Sequence, residues 1–319
     1  SYLIPIFFLS FFIIIVFTGK SISDYLYSKM YIFMGIYLGY VLYTFHIAIL
    51  IRILISFVKF PALFSISLLY GIPIIICIYG IINALITRII RVNLKYPGYK
   101  DKIDILHLSD IHLGAIHQKN SIIRIVNEIQ NLNPDIVVIT GDMADGSLKV
   151  KPDWLTPFDN LTIPILFICG NHEEMNPKVD MINVVNNSSI KYIGRHEHYL
   201  YKGVNFIGED FGYDLTKTLL NVKQEEGVPN VLLSHIPIFK PEELAKYNIF
   251  LFLAGHTHGG QLFPFHIFAY FANACFAGLY SDCNKSHHVF VSEGVNNAVV
   301  PMRVGSSRIF AIITIEGDE

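Results

Sequence analysis

The sequence predicts an α/β domain preceded by an N-terminal transmembrane helical region, on three observations. Long apolar runs without a charged side chain crowd the first ninety residues. Short β-branched runs recur after residue 100, with a helical pattern between the first two. Polar residues of metal-ligating type follow those runs one after another.

The chain has 319 residues, of which 52% are hydrophobic and only 16% charged. Soluble domains carry about 25% charged residues, so part of this chain is not built for water. Leu3 to Thr18, Tyr31 to Ile51 and Phe60 to Thr87 contain no Asp, Glu, Lys or Arg. A helix needs about 20 mostly apolar residues to cross a bilayer. The second and third runs meet that length, and the first is marginal. The first also lacks the basic leader of a signal peptide. The expected organisation is therefore about three spans within residues 1–91, a polar linker over 92–101 with Pro97 and Gly98, and a domain over 102–319. The chain opens on Ser1 and not Met, which leaves room for a preceding piece.

Charge sets the expected orientation. Lys20, Lys29, Arg88, Arg91, Lys95, Lys100 and Lys102 fall on the domain's side of the membrane, against Arg52 and Lys59 on the other. Basic flanks favour the cytoplasm, so an integral protein of the inner or plasma membrane with a cytoplasmic domain is expected. Cys77, Cys169, Cys275 and Cys283 form no CxxC pair and read as free thiols of a reducing compartment. A net charge of −2 excludes a general nucleic-acid binder. In the second span, Arg52 is near an end and His46 stands alone, too few polar groups for a transport pathway.

The strands expected in the domain are Ile103–Leu108, Asp135–Thr140, Ile163–Cys169, Val204–Gly208, Asn230–Ser234, Ile249–Ala254, Val289–Ser292 and Ile309–Ile315. Ser121–Leu132 carries Ile122, Ile123, Val126 and Ile129 at helical spacing, which completes a strand–helix–strand unit. Asp110 and His112 follow the first strand, Asp142 the second, Asn171 and His172 the third, His235 and then His256 and His258 later ones. Ligand sites of open α/β sheets lie beyond the carboxyl ends of strands, so five strand ends would gather these residues.

The residue types suit metal chemistry. Asp110-Ile-His112 offers a carboxylate and an imidazole, and Gly141-Asp142-Met-Ala-Asp145 two carboxylates. Gly170-Asn171-His172-Glu173 offers an amide and an imidazole, Ser234-His235 one imidazole, and Gly255-His256-Thr-His258-Gly-Gly-Gln261 two. Mixed imidazole, carboxylate and amide donors fit Mn, Fe, Zn or Co. Each fragment alone is weak, but all five in order, each after a strand, are not.

These five blocks resemble the signature of the calcineurin-like metallophosphoesterases over about residues 102 to 315. The resemblance implies a four-layer α/β/β/α sandwich and two divalent metal ions (Mn, Fe or Zn). It implies that Asp110, His112 and His258 hold one metal, that Asn171, His235 and His256 hold the other, and that Asp142 bridges both. It further implies attack on a phosphoester or pyrophosphate by a metal-bridging hydroxide, with His172 as general acid and Asp145 orienting it. The Gly255–Gln261 block, Gly278-Leu-Tyr280 and Val300-Pro-Met-Arg303 resemble the membrane-associated bacterial branch, some of whose members cleave UDP-diacylglucosamine. That branch usually carries Glu where this chain has Arg308. The competing reading is a catalytically inactive membrane scaffold, and the complete ligand set speaks against it.

Other polar residues have bland readings. His107 sits in a strand as packing. His117, His196, His198, His266, His287 and His288 lie in loops or at edges, His196 and His198 being the best candidates for substrate contact. Glu173 and Glu174 either support the ligands or are solvated, Asp210 is a strand-end or loop acid, and Arg303 either meets a phosphate or forms an exposed salt bridge. Leu262 to Tyr280 is aromatic-rich and uncharged, either core or an apolar lip for a lipid-linked phosphoester.

Overall fold

The computed structural model describes residues 22–175, 181–221 and 227–318. The first apolar run, Leu3 to Thr18, lies outside the described residues. The second and third form α1 (Asp24–Leu54) and α2 (Ala62–Leu85), both long and apolar enough to cross a membrane. Ser23 caps α1 by accepting from the Leu26 amide, and Asp24 and Arg52 complement its two dipole ends. His46 is satisfied within the helix, its Nδ1 donating to the Leu42 carbonyl at 2.8 Å.

The rest of the chain runs β1 (Thr87–Tyr96), β2 (Lys102–Leu108), α3 (Lys119–Leu132), β3 (Ile136–Thr140), β4 (Ile165–Ile168), α4 (Asn171–Met175), α5 (Met181–Asn186), β5 (Lys191–Tyr192), β6 (His198–Tyr201), β7 (Val204–Glu209), α6 (Leu215–Asn221), β8 (Asn230–Ser234), α7 (Pro241–Leu244), β9 (Leu251–Ala254), α8 (Phe265–Ala272), β10 (Gly278–Ser281), β11 (His288–Val291) and β12 (Arg308–Gly317). Two six-stranded sheets result, ordered β1-β12-β2-β3-β4-β5 and β10-β11-β9-β8-β7-β6. The central strands β2, β3 and β4 of one sheet, and β7, β8, β9 and β11 of the other, are parallel.

Alternation along the strands builds the layers. In β2 and β3, Ile103, Ile105, Ile136 and Val138 face Val231, Leu233, Leu251 and Leu253 of the second sheet. Their neighbours Leu106, Leu108, Val137 and Ile139 face outward, onto Ile122, Ile125 and Ile129 of α3. Leu232 and Phe252 do the same beneath Leu215, Leu219 and Leu244 of α6 and α7. Strands buried on both faces read as continuous apolar runs, and the four-layer sandwich follows.

The expected linker over 92–101 is not one. Thr87–Tyr96 pairs in parallel with Arg308–Gly317 over ten residues. Its Arg and Lys residues suit an edge strand, whose solvated side needs charge, and they gave it the look of a polar connector. Since β12 runs antiparallel to β2, Thr87 opens β1 at the end of the sheet where β2 finishes. The helical hairpin therefore joins the domain at the carboxyl-end rim.

The hairpin is also packed on that rim. A Cβ on Gly35 would lie 2.7 Å from Pro301 Cδ, and one on Gly39 2.8 Å from Met302 Sδ. The Arg303 amide donates to the Gly80 carbonyl at 2.9 Å, and Asn83 Nδ2 donates to the carbonyls of Arg303 and Ser306.

Candidate metal centre

The turns after β2 and β3 are zipped together. The amides of Asp110, His112 and Leu113 donate to the carbonyls of Gly141, Asp142 and Met143. From the second sheet, His235 Nδ1 donates to the Thr140 carbonyl at 2.8 Å, and the His256 amide to Asp110 Oδ2 at 3.2 Å. Strand ends of both sheets thus meet at one point.

Backbone strain is concentrated there. Of the thirteen non-glycine residues with positive φ among the described residues, five are Asp110, His112, Asp142, His256 and His258. A left-handed conformation is costly for such side chains and persists only where the surroundings enforce it. Gly255 shows how tight the fit is: a Cβ there would lie 1.8 Å from Ser109 Oγ and 2.6 Å from Asp110 Oδ2. Gly255→Ala is therefore expected to displace Asp110 and lower bound metal well below the wild-type content. Normal metal content in that variant would show that the turn can relax.

The ligand-type atoms form three overlapping groups, Asp110–His112–His258, His112–Asp142–His172 and Asp110–Asp142–His235, each with its atoms within 4.8 Å of one another. Asp142 belongs to two of them. Asp142 Oδ2 is 3.2 Å from His235 Nε2 and 3.9 Å from both His112 Nε2 and His172 Nε2. Asn171 Oδ1 is 2.9 Å from His256 Nδ1, and the His235 and His256 rings are 5.2 Å apart. All seven expected ligands and His172 come together in this one place.

The donor set fits divalent cations. Asp110 Oδ1 is buried without a hydrogen-bond partner. The Nε2 atoms of His112 and His258 face each other at 3.0 Å, and Asp110 Oδ1 lies 3.9 Å from the first and 3.3 Å from the second. Burial drives His112 down to about 3 and His256 to about 4, so both are in the neutral, ligating form. Burial works against the Asp142 carboxylate, yet His235 and His112 hold its pKa well below the carboxylate range. Burial works against a charged His235 too, and Asp142 and Asp110 override it, pushing the imidazole up to about 10. A proton on His235 thus balances these carboxylates where a cation would.

His172 is placed by its backbone and by one ring bond. Its amide donates to Asp142 Oδ1 at 2.9 Å, and its Nδ1 lies 3.2 Å from the Asp145 carbonyl oxygen. That bond puts the proton on Nδ1 and turns Nε2 toward the cluster. The expected role of Asp145 changes accordingly. It orients His172 through its main-chain carbonyl, while its carboxylate accepts from the Ser147 amide and hydroxyl at 2.7 and 2.6 Å.

Several neighbours are structural. Glu173 accepts from the amides of Asp142, Ala144 and Gly170, so it fixes two ligand-bearing turns. The side chain of Glu174 lies outside the described residues. Asp210 accepts from the Cys169 amide at 2.7 Å and from the Tyr192 hydroxyl. His107 is buried against Phe290 and bonded to Thr140 Oγ1, the packing role expected of it. Arg303 neither faces solvent nor forms an exposed ion pair. It is fully buried and donates to the carbonyls of His258, Glu293, Gly294 and Asn296 and to Asn297 Oδ1 and Ser306 Oγ.

Residues 103–260 match the family model described as calcineurin-like phosphoesterase. The domain belongs to that family. A metallophosphoesterase of Helicobacter pylori is 31% identical over 222 residues, covering 65% of this chain and 59% of that protein. A Bos taurus protein described as a transmembrane protein with metallophosphoesterase domain is 32% identical over 236 residues, covering 66% of this chain and 52% of that protein. A metallophosphoesterase of Aquifex aeolicus is 29% identical over 266 residues, covering 75% of this chain and 96% of that protein. The chain thus spans between half and three-fifths of the length of the first two relatives.

Proposed function

We propose that this chain is a membrane-anchored, dinuclear metal-dependent phosphoesterase, facing the cytoplasm, that hydrolyses a phosphoester or pyrophosphate bond of a lipid-linked substrate. The observation that carries the reading is the convergence of five strained, ligand-type residues, Asp142 among them, at one point. Asp110, His112 and His258 serve one cation, Asn171, His235 and His256 the other, and Asp142 both. When bound, two Mn, Fe or Zn ions supply Lewis acidity at a phosphoryl oxygen and acidify water. The chain's own residues do the rest. The strained turns fix the donors before substrate arrives, and His172, with Nδ1 committed to the Asp145 carbonyl, presents Nε2 as proton donor to the leaving oxygen. The exposed apolar α8 beside His258 favours a lipid-linked substrate over a soluble one. The scaffold alternative is disfavoured because the ligands and His172 are all present and gathered.

Metal analysis combined with turnover of an aryl phosphodiester tests the reading. About two metals per chain are expected. His172→Ala should keep that content and lower kcat by roughly 10²–10⁴. The loss should shrink for a 4-nitrophenyl leaving group, which needs no protonation. A chain that stays metal-free in excess Mn or Zn defeats the proposal.

A further inference from the structure

We infer that the surface formed by α8 and the loops on either side of it is seated in the bilayer interface, so that the metal centre opens at headgroup depth. This rests on reading the helical hairpin as membrane-inserted, and it does not depend on catalysis.

Four observations lead there. First, α8 has no buried residue, and Phe268 and Phe271 are 68% and 81% exposed. Phe263, Phe265, Ile267 and Tyr270 are exposed with them, an apolar patch of the kind that marks contact with a membrane or a partner. Second, residues 262–281 and 295–302 contain no Asp, Glu, Lys or Arg, as a surface inside a low-dielectric layer requires.

Third, this surface is continuous with the hairpin. Leu262, Val300 and Met302 form one cluster with Tyr43 of α1 and Cys77 of α2. The Phe263 amide donates to the Val304 carbonyl at 2.8 Å, and Val304 packs on Gly80 of α2. A bilayer around the helices would reach α8 without interruption.

Fourth, the part of the hairpin that extends past the domain's rim is too short to cross alone. Beyond Tyr43, α1 continues only to Leu54, and before Cys77, α2 begins at Ala62. At ~1.5 Å per residue those stretches rise ~17 and ~22 Å, against a hydrocarbon core of ~30 Å. With Arg52 and Lys59 at the far interface, the near one falls ~10 Å below the level of Tyr43 and Cys77. That depth takes in the uncharged rim. The turn carrying His258 lies against it, since a Cβ on Gly260 would lie 2.2 Å from His266 Cα of α8. A phosphate at headgroup depth would therefore meet the site with its acyl chains still in the membrane.

The test uses the full chain in phosphatidylcholine vesicles, one set with acyl chains brominated near the headgroup to report on position 268 and one brominated deeper to report on position 45, which lies ~13 Å inside the near interface. Trp154 is the single tryptophan and is buried in the domain, so the wild type supplies the background. Three variants each add one tryptophan at an exposed phenylalanine or leucine: Phe45→Trp on α1, Phe268→Trp on α8, and Leu200→Trp on β6 at the opposite edge of the second sheet. Circular dichroism checks that each folds. The added emission should fall on the order of twofold at position 268 with the shallow bromines, as for a ring buried at the acyl boundary, and at position 45 with the deep ones, and stay unchanged at 200 with both. Quenching at 45 without quenching at 268 overturns the inference and leaves the anchor standing. No quenching at 45 overturns both.

Discussion

Asp142→Asn is expected to release at least one of the two cations and to lower aryl phosphodiester turnover by about a thousandfold or more. The substitution keeps the side chain's volume, and Oδ1 can still accept from the His172 amide, as it does at 2.9 Å in the wild type. What is lost is the charge. Like Asp110, Asp142 belongs to two of the three ligand groups, but it alone of the two carboxylates lies in a group with His172, and it is held ionised by His235 and His112 despite its burial. Two unit charges ~4 Å apart repel by about 4 kcal/mol at an effective dielectric near 20, and divalent ions repel more. Each 1.4 kcal/mol is about tenfold in affinity, so removing the intervening anion costs about three decades or more. Metal content per chain is the first readout and turnover the second. If the variant kept both metals and its activity, Asp142 would not be the bridging group.

The strands and the gathering of ligand-type residues at their ends were legible in the sequence for the same reason. A strand buried on both faces has to be an apolar run, and a site at its carboxyl end has to begin where the run stops. Leu106, Leu108 and Asp110 show the pattern in five residues. Four strands were not legible. Thr87–Tyr96 is an edge strand whose charged face hid it among the basic residues of a supposed linker. Lys191–Tyr192, His198–Tyr201 and Gly278–Ser281 are short and half-exposed, without a hydrophobic run to mark them. The pairing of His172 with Asp145 was foreseen, but not that the main-chain carbonyl makes it. Local sequence does not distinguish a carbonyl from a carboxylate of the same residue. The apolar stretch from Leu262 to Tyr280 could be read either as core or as lip, because composition is the same for both. The exposure of α8 decides against core for that part of the stretch.

Arg303 was the residue whose environment composition could least reveal, and its replacement carries the second large expected effect. Arg303→Met should destabilise the domain by about 3–5 kcal/mol, the range for removing one member of a buried charged network. The guanidinium is fully buried, and burial lowers its pKa only to about 10, so it stays charged. Methionine would fill much of the space and supply no donor. The carbonyls of His258, Glu293, Gly294 and Asn296 would then lose a hydrogen bond at 3.2, 2.7, 3.4 and 2.7 Å respectively. Each buried acceptor left unmatched costs about 1–3 kcal/mol, and relaxation of the loop should keep the total below their sum. Glu293, itself largely buried and near the guanidinium, would lose a countercharge as well. One of the freed carbonyls belongs to a metal-ligand candidate held at a φ of 51°, so metal affinity should fall together with stability. Lysine at this position keeps a charge but not the planar fork that reaches six acceptors, and it should recover only part of the loss. Denaturant unfolding alongside metal titration separates the alternatives. A methionine variant as stable as wild type, with normal metal affinity and a raised KM, would instead make Arg303 a phosphate contact.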